Sequence, residues 1–258
     1  MAANAEHIGI LLEKLLAGEI GKDDFLREAT RKTAPYIPVE DFARIDIDRG
    51  RRTGVPEFIY APGKTVEQIA AIAARMIDAG IRNILATRVE ESVFRQLSRT
   101  FPDAVYHPLS RLAVINPQAQ ESLAGNIGIV TAGTSDLPVA EEADIACTIL
   151  GSRTTRIADI GIACLARTLD AVPVIETMNV VICVAGMEAT LPSVLAGLVR
   201  VPIIAVPTSV GYGVNTGGFN ALLSILGSCA PGIVAVNIDN GIGAAAAAHR
   251  INLLAEQR

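Results

Sequence analysis

Large aromatic side chains are nearly missing from this sequence, which limits what its core can be made of. The 258 residues include no Trp, and aromatic residues make up 4% of the chain, whereas hydrophobic residues make up 50%. The interior must therefore consist mainly of Ala, Val, Ile and Leu, a composition that suits parallel strands covered by helices. The length is sufficient for a large core, in one domain or in two.

The sequence also lacks the features of a membrane, secreted or nucleic-acid-binding protein. No apolar run reaches the roughly 20 residues of a membrane-spanning helix, because Glu188 and Pro192 interrupt the stretch 180–199. The N-terminus has no basic region followed by an apolar block, so we expect no signal peptide. A net charge of −5 gives no general attraction to nucleic acid. We expect a cytoplasmic protein, and its mean hydropathy of +0.40 favours a homo-oligomer over a monomer.

Cysteine and histidine are scarce and show no metal-binding spacing. The three His residues form no cluster, and the four Cys residues match neither a zinc site nor a redox pair. Cys147, Cys164 and Cys183 lie within apolar runs, and we predict that they are buried and inert. Cys229 differs because it precedes Pro231 between two predicted strands, where a thiol serves chemistry more than packing.

The first half of the chain predicts a small α/β unit. Residues 5–34 have the pattern of two amphipathic helices, and the Pro-, Gly- and charge-rich residues 35–63 predict irregular chain. Thr65 is a suitable N-cap for a helix that ends near Gly80. A strand, a helix and a second strand follow within residues 83–107.

The second half predicts a larger α/β domain. Strands and helices alternate there in about five βα repeats, which favours a doubly wound parallel sheet of the flavodoxin or Rossmann type. We place the boundary near residue 122, so that a smaller N-terminal α/β domain spans residues 1–122 and the larger domain spans 123–258.

Polar, Gly-rich segments follow several predicted strands and predict a ligand site at that edge of the sheet. Gly133–Asp136 opens a helix, where backbone N–H groups suit an anion, although these residue types also cap helices well. Glu188 follows the strand Val180–Ala185 and serves either as a proton-handling group or as a first-turn helix carboxylate. Asp239 is either a ligand of magnesium or ribose, or a turn residue.

Residues 44–65 combine many charges with Gly and Pro. The charged residues are Arg44, Asp46, Asp48, Arg49, Arg51, Arg52, Glu57 and Lys64. Arginine matches phosphate and carboxylate groups bidentately, so the segment suits an anionic ligand. A solvated run of charges is the alternative.

Five segments, in order, resemble the LarB family, which begins synthesis of the nickel-pincer nucleotide cofactor. LarB proteins are related to PurE, the aminoimidazole ribonucleotide (AIR) carboxylase of purine synthesis. The segments are RIDIDRGRRTGVPEFIYAPGKT (44–65), TAGTSDLPVAEEA (131–143), AGMEATLPSVLAGLV (185–199), PTSVGYG (207–213) and SCAPGIVAVNIDNG (228–241). The resemblance covers most of the chain and implies a PurE-like catalytic domain, a substrate-binding segment at 44–65 and assembly as an octamer.

The resemblance implies a carboxylation followed by a hydrolysis. Nicotinic acid adenine dinucleotide would gain a carboxylate at C5 of its pyridinium ring from carbon dioxide or bicarbonate. Hydrolysis of its phosphoanhydride, with Mg²⁺, would then release AMP and pyridinium-3,5-biscarboxylic acid mononucleotide. The electron-poor C5 becomes nucleophilic only after a thiolate adds at C4, and Cys229 is the implied thiolate. Glu188 is the implied proton acceptor, with Asp46 as the second candidate.

The resemblance also implies which residues bind the substrate. The implied phosphate site is Gly133, Thr134, Ser135 and Asp136, and the other implied binding residues are Arg49, Arg52, Lys64, Arg167, Ser209, Tyr212, Gly213 and Asn237, with Asp239 as a metal ligand. One segment departs from the family, because residues 161–167 read GIACLAR where relatives read GVAGxHR. Ala166 therefore stands in place of a histidine beside Arg167.

Two other functions stay open at this point. A purine-type AIR carboxylase or mutase would need neither the thiol nor the segment 44–65. A non-catalytic nucleotide-binding subunit is favoured only by Ala166.

Overall fold

A computed structural model describes residues 2–30, 36–120 and 122–256. The helices are α1 (Ala2–Leu16), α2 (Lys22–Thr30), α3 (Arg49–Thr53), α4 (Val66–Asp78), α5 (Glu91–Thr100), α6 (Leu137–Ile149), α7 (Leu165–Ile175), α8 (Leu191–Ala196), α9 (Phe219–Leu226) and α10 (Gly241–Glu256). The strands are β1 (Ile37–Val39), β2 (Ala43–Ile45), β3 (Ile59–Tyr60), β4 (Ile84–Thr87), β5 (Val105–His107), β6 (Leu112–Ile115), β7 (Ala124–Thr131), β8 (Ser152–Ile157), β9 (Val180–Ala185), β10 (Ile203–Pro207) and β11 (Ile233–Ala235).

The N-terminal part contains a four-stranded mixed sheet in the order β3-β4-β6-β5. The predicted cap of α4 is confirmed, because Thr65 Oγ1 accepts a hydrogen bond from the Gln68 backbone N–H at 3.2 Å and Gln68 bonds back to the Thr65 N–H. The prediction of irregular chain for residues 35–63 is wrong for β1, β2, α3 and β3 and holds for the other residues of the segment that the structure describes. An antiparallel hairpin of β1 and β2 buries Val39 and Ile45, and such short strands between Pro and Gly leave little periodicity to detect.

The C-terminal part confirms the predicted doubly wound α/β fold. Its five strands are all parallel and lie in the order β11-β10-β9-β7-β8. The chain moves outward from β7 to β8 and then crosses back to β9, so the connection reverses direction between β7 and β9. In sheets of this kind, ligands bind at that reversal, outside the carboxyl ends of the strands. Strand β8 has no counterpart in the predictions, because SRTTRI is a polar edge strand without an apolar run.

Small aliphatic side chains form the core, as the composition predicts. The buried hydrophobic side chains of the described residues include no aromatic ring. Helices α6 and α10 pack together on one face of the five-stranded sheet, where Ala140, Ala143, Ala244 and Ala248 are 0–2% exposed. Helices α7, α8 and α9 cover the other face.

The two sheets share part of one core. Leu85 and Leu112 of the four-stranded sheet pack in the same cluster as Ile127 and Ile129 of β7. Loops at the carboxyl ends of β4 and β11 therefore lie close to each other. The boundary predicted near residue 122 lies in the segment that joins β6 to β7. None of the helices in the described residues is both long and apolar enough to cross a membrane.

Candidate functional site

A cavity of about 510 Å³ lies where the strand order reverses, and we call it the switch-point cavity. Four loops line it, each following a parallel strand: residues 132–136 after β7, 161–163 after β8, 185–191 after β9 and 210–212 after β10. The Gly-rich segments after β7, β9 and β10 therefore line one common cavity at this edge of the sheet. Of the predicted site residues, it brings together Gly133, Ser135, Asp136, Glu188 and Tyr212.

Asp136 ties three of these loops together. Its carboxylate accepts hydrogen bonds from the Gly133 N–H at 3.0 Å and from the Thr208 hydroxyl at 2.8 Å. The Gly186 N–H is a further donor. Burial raises the pKa of Asp136, and these donors counteract the rise. Asp136 thus holds the cavity wall in shape, and because it takes the Gly133 N–H, a phosphate at this turn would bind to the N–H groups that follow Gly133.

Gly186 is required by close contacts between two of the loops. A Cβ added there would lie 2.5 Å from the Val210 carbonyl oxygen and 2.6 Å from Thr208 Oγ1. The backbone after β9 can therefore approach the loop after β10 only because residue 186 has no side chain.

Glu188 stands on a strained turn at the mouth of the cavity. Its neighbours Met187 and Ala189 both have left-handed backbone conformations, with φ of 54° and 45°. Such residues are costly and concentrate at functional sites. Helix α8 begins only at Leu191, after the cap residue Thr190, so Glu188 does not lie in the first turn of that helix. The geometry therefore favours a role at the site over helix stabilisation.

The loop after β10 contributes one ring to the cavity. Tyr212 lines it with 80% of its surface exposed, which leaves the ring free to cover a ligand. Ser209 and Gly213 belong to the same loop without lining the cavity. The Ser209 N–H donates to the Asp239 carboxylate at 2.8 Å, and Gly213 has a φ of 67°, which favours glycine.

The predicted residue Arg167 and its neighbour Ala166 lie at the start of α7, beside the cavity. Arg167 forms a salt bridge with Asp159, and its Nε is buried without a hydrogen-bond partner in the described part of the chain. Neither Arg167 nor Ala166 lines the cavity, whereas Gly161 and Ala163 do.

The four thiols differ from the predictions in one case. Cys147 and Cys183 are buried, and burial raises the pKa of both. The prediction that Cys164 is buried is wrong, because it belongs to a short 3-10 turn at the cavity rim and is exposed. Cys229 is also exposed, but it lies between α9 and β11, on the amino side of that strand. It is not among the residues that line the cavity of its own chain.

A second cavity, of about 430 Å³, lies between the two sheets, and we call it the intersheet cavity. Phe58, Tyr60, Thr87 and Arg88 line it from the N-terminal part, and Glu142, Asn237, Ile238, Asp239, Asn240 and Ile242 line it from the C-terminal part. Two predicted residues, Asn237 and Asp239, belong here. Across the cavity, Arg88 Nη2 donates to the Asp239 carbonyl oxygen at 3.2 Å.

Glu142 is the buried carboxyl group of the intersheet cavity. It is 7% exposed and accepts a hydrogen bond from the Gly241 N–H at 2.9 Å, at the start of α10. Burial raises the pKa of Glu142 to about 7, although the Gly241 N–H and the nearby Arg88 oppose the rise. A carboxyl group with such a pKa can be neutral or charged near physiological pH.

Charges in the segment 44–65 pair mainly with one another. Arg52 forms a bidentate pair with Asp46 at 2.8 and 3.0 Å, which lowers the pKa of Asp46 and keeps it ionised. Asp46 and Arg52 line a separate depression of about 460 Å³, together with Tyr36 and Arg44. Arg49 is exposed nearby, and Lys64 lies over the ring of Tyr60 at the intersheet cavity.

The described residues do not fit a dedicated metal site. Within residues 2–30, 36–120 and 122–256, no three His, Cys, Asp or Glu side chains lie together as a ligand group. Asp239, the predicted magnesium ligand, directs one carboxylate oxygen to the Ser209 N–H.

Comparison with known proteins fits this architecture. Residues 38–118 match the LarB/PurE-like N-terminal domain, and residues 126–258 match AIR carboxylase. An uncharacterized protein of Methanocaldococcus jannaschii is 37% identical over 236 residues, which cover 88% of this chain and 90% of that protein. The chain belongs to the LarB family. LarB- and PurE-like domains indicate an enzyme with a LarB- or AIR-carboxylase-related function.

Solved structures also match part of the chain. Ribose-5-phosphate isomerase B from Giardia lamblia aligns with 47% of this LarB-family chain and 95% of its own, at 13% identity and a TM-score of 0.25.

Asn237 and Asp239 are the predicted site residues that line the intersheet cavity of this LarB-family chain, and the sequence did not identify the others. The position of Arg88 could have indicated a binding residue, because Arg88 directly follows a buried strand, as ligand-binding residues often do in α/β folds. The position of Glu142 could also have been noticed, since this carboxylate lies between Ala140 and Ala143 on the buried face of α6. A carboxylate on such a face requires partners.

Proposed function

We propose that this protein carboxylates nicotinic acid adenine dinucleotide at C5 of the pyridinium ring and then hydrolyses the phosphoanhydride. The observation that carries the proposal is the switch-point cavity of a LarB-family chain, with the turn Gly133–Asp136 and the carboxylate of Glu188 on its wall. The turn suits the phosphate of the nicotinate ribotide half. Glu188 suits a proton transfer at the ring.

The proposed reaction sequence needs no oxidant or reductant. The Cys229 thiolate adds to C4, and the ring becomes a neutral enamine. C5 then attacks carbon dioxide, so that a C–C bond forms and one C=O electron pair moves to oxygen. Glu188 accepts the C5 proton, and expulsion of the thiolate from C4 restores the pyridinium. Water finally cleaves the phosphoanhydride, which releases AMP and pyridinium-3,5-biscarboxylic acid mononucleotide.

The position of Cys229 makes a second copy of the chain part of the proposal. Its surroundings are apolar and exposed, since Phe219, Leu223, Leu226 and Val234 are 56–65% exposed on α9 and β11. Such a face favours association between chains. We place the Cys229 of one subunit at the switch-point cavity of a neighbour, within a homo-oligomer for which the relatives suggest eight subunits.

Activity and subunit complementation test the proposal together. The protein is incubated with the dinucleotide, ¹³C-bicarbonate and Mg²⁺, and the labelled mononucleotide and AMP are measured by mass spectrometry. Cys229→Ala should lower turnover more than about 100-fold. Cys164→Ala is the matched control, and its turnover should stay within about twofold of wild type.

Co-expression of two inactive variants shows whether Cys229 and Glu188 of one site come from the same subunit or from two subunits. Cys229→Ala and Glu188→Gln chains carrying different tags should form mixed oligomers in which about a quarter of the sites regain both groups. No recovery would mean that both groups act within one chain. If Cys164→Ala is the inactive variant, the thiol at the cavity rim is the nucleophile instead.

Carboxylation of AIR is the second candidate, because residues 126–258 match AIR carboxylase. Replacing the dinucleotide by the aminoimidazole ribotide in the same assay separates the two functions. Turnover of the ribotide that persists in Cys229→Ala would favour the purine-type reaction, which needs no thiol. Binding of either compound without turnover would favour a non-catalytic subunit.

A further inference from the structure

The intersheet cavity plays no part in the chemistry proposed above, yet it has the composition of a nucleotide site. Its volume of about 430 Å³ lies within the range of small-molecule sites. The rings of Phe58 and Tyr60 offer apolar surface for a base. The amides of Asn237 and Asn240 lie on the opposite strand end and offer donors and acceptors for ribose hydroxyls and base edges.

Two cations beside this cavity form no salt bridge in the described residues, although the Glu142 carboxyl group lies near one of them, Arg88. The Arg88 guanidinium lies 5.8 Å from the centre of the Tyr60 ring, and Lys64 Nζ lies 6.0 Å from it. Both donate only to backbone carbonyl groups in the part of the chain that the structure describes, and neither forms a salt bridge there. Arg52, in contrast, is neutralised by its bidentate pair with Asp46.

Two residues that line the intersheet cavity have strained backbone conformations. Arg88 and Asp239, which are in contact across the cavity, have φ values of 55° and 53°. The left-handed conformation is unfavourable for Arg and less so for Asp, and it persists at Arg88 where surrounding structure fixes it. The fold therefore holds the Arg88 side chain at the cavity at some cost in stability.

One loop, which follows β10, is bonded to residues of both cavities. Thr208 bonds to Asp136 of the switch-point cavity, and the next residue, Ser209, bonds to Asp239 of the intersheet cavity. A ligand with two nucleoside halves joined by a pyrophosphate would therefore place one half in each cavity and pass its pyrophosphate over this loop.

We propose that the intersheet cavity binds the adenosine monophosphate half of the dinucleotide, with Arg88 and Lys64 on its phosphate and Tyr60 against its base. This inference rests on the proposed function and extends it to a second subsite. It places the phosphoanhydride near Ser209, between the two cavities. It also assigns the recognition of the leaving half to Arg88 and Lys64.

Binding measurements test the subsite without turnover. AMP is the probe for the intersheet cavity, and nicotinic acid mononucleotide is the probe for the switch-point cavity, both titrated into the full chain by calorimetry. Arg88→Gln should weaken AMP binding about 10- to 100-fold, as the loss of one charge-assisted contact predicts. The same variant should change mononucleotide binding less than twofold.

Further variants separate the lost contact from a damaged fold. Arg88→Lys keeps the charge and should restore part of the AMP affinity, and Tyr60→Leu should weaken AMP binding without removing a charge. Arg111→Gln is the matched control, because Arg111 also has a left-handed backbone, with φ of 51°, but lines neither cavity. It should bind both probes like wild type.

Three results would overturn the inference: no AMP binding by the wild-type protein, equal AMP binding by Arg88→Gln and wild type, or competition between the two probes for one site. The proposed function fails separately, if wild-type protein forms no carboxylated product from the dinucleotide and bicarbonate. If AMP binding depends on Arg88 but the protein forms no carboxylated product, the AMP subsite is supported and the proposed carboxylation is refuted.

Discussion

Replacing Glu142 by Gln should remove a large part of the pH dependence of stability. The pKa of this buried carboxyl group rises from 4.5 to about 7 on folding, mainly because burial disfavours its charge. A shift of this size corresponds to about 3 kcal/mol between the two protonation states. Gln keeps the oxygen that accepts the hydrogen bond from Gly241 N–H, but it carries no charge.

The sign of the effect follows from proton binding. Below pH 4.5 both the folded and the unfolded chains carry the proton, and Glu142 contributes no pH dependence. As the pH rises from 4.5 to about 7, the unfolded chain loses the proton while the folded chain keeps it, so the free energy of unfolding falls. We expect wild type and Glu142→Gln to be similar at low pH and to differ by up to about 3 kcal/mol at pH 8.

Urea denaturation from pH 4.5 to 8, at one fixed protein concentration, measures this difference. Glu141→Gln is the matched control, because Glu141 is the preceding residue of α6 and is only half-buried. It should follow the wild-type pH profile. Parallel profiles for Glu142→Gln and wild type would show that Glu142 stays ionised in the folded chain and would refute the reasoning.

Two further substitutions test the switch-point cavity. Glu188→Gln should lower turnover about 100-fold or more with little change in KM or melting temperature, since Glu188 lies outside α8; a lower melting temperature with normal turnover would contradict this. Gly186→Ala should cost about 1–3 kcal/mol in urea denaturation, because its Cβ would lie 2.5 Å from the Val210 carbonyl oxygen; unchanged stability would mean that the loop after β10 moves aside freely.

Local sequence patterns predicted the elements whose burial is continuous. Strand β9 was found at its full extent because all six of its residues are buried, and the cap at Thr65 is a purely local signal. Strand β8 was missed because its side chains bond to neighbours rather than enter the core, as when Thr154 donates to Asp144 at 2.5 Å. An edge strand of this kind has no hydrophobic period to detect.

The contacts that form the intersheet cavity could not be predicted, because they join segments that are far apart in the sequence. Glu142 and Gly241 are bonded across 99 residues, and Arg88 and Asp239 across 151. Cys164 lies in an apolar run, but a short 3-10 turn leaves it outside the core. Only the arrangement of both sheets decides which of these side chains meet.

The distribution of backbone strain supports both cavities independently of any resemblance. Among the described residues, nine that are not Gly have positive φ, and four of them, Arg88, Met187, Ala189 and Asp239, line one cavity or the other. Strained conformations of this kind cost on the order of 1–3 kcal/mol each. Arg, Met and Ala have no intrinsic preference for them, so no sequence pattern predicts where they occur. Their position around two adjacent cavities is what a preorganised binding surface for a two-part ligand requires, because the loops must hold their shape before the ligand arrives.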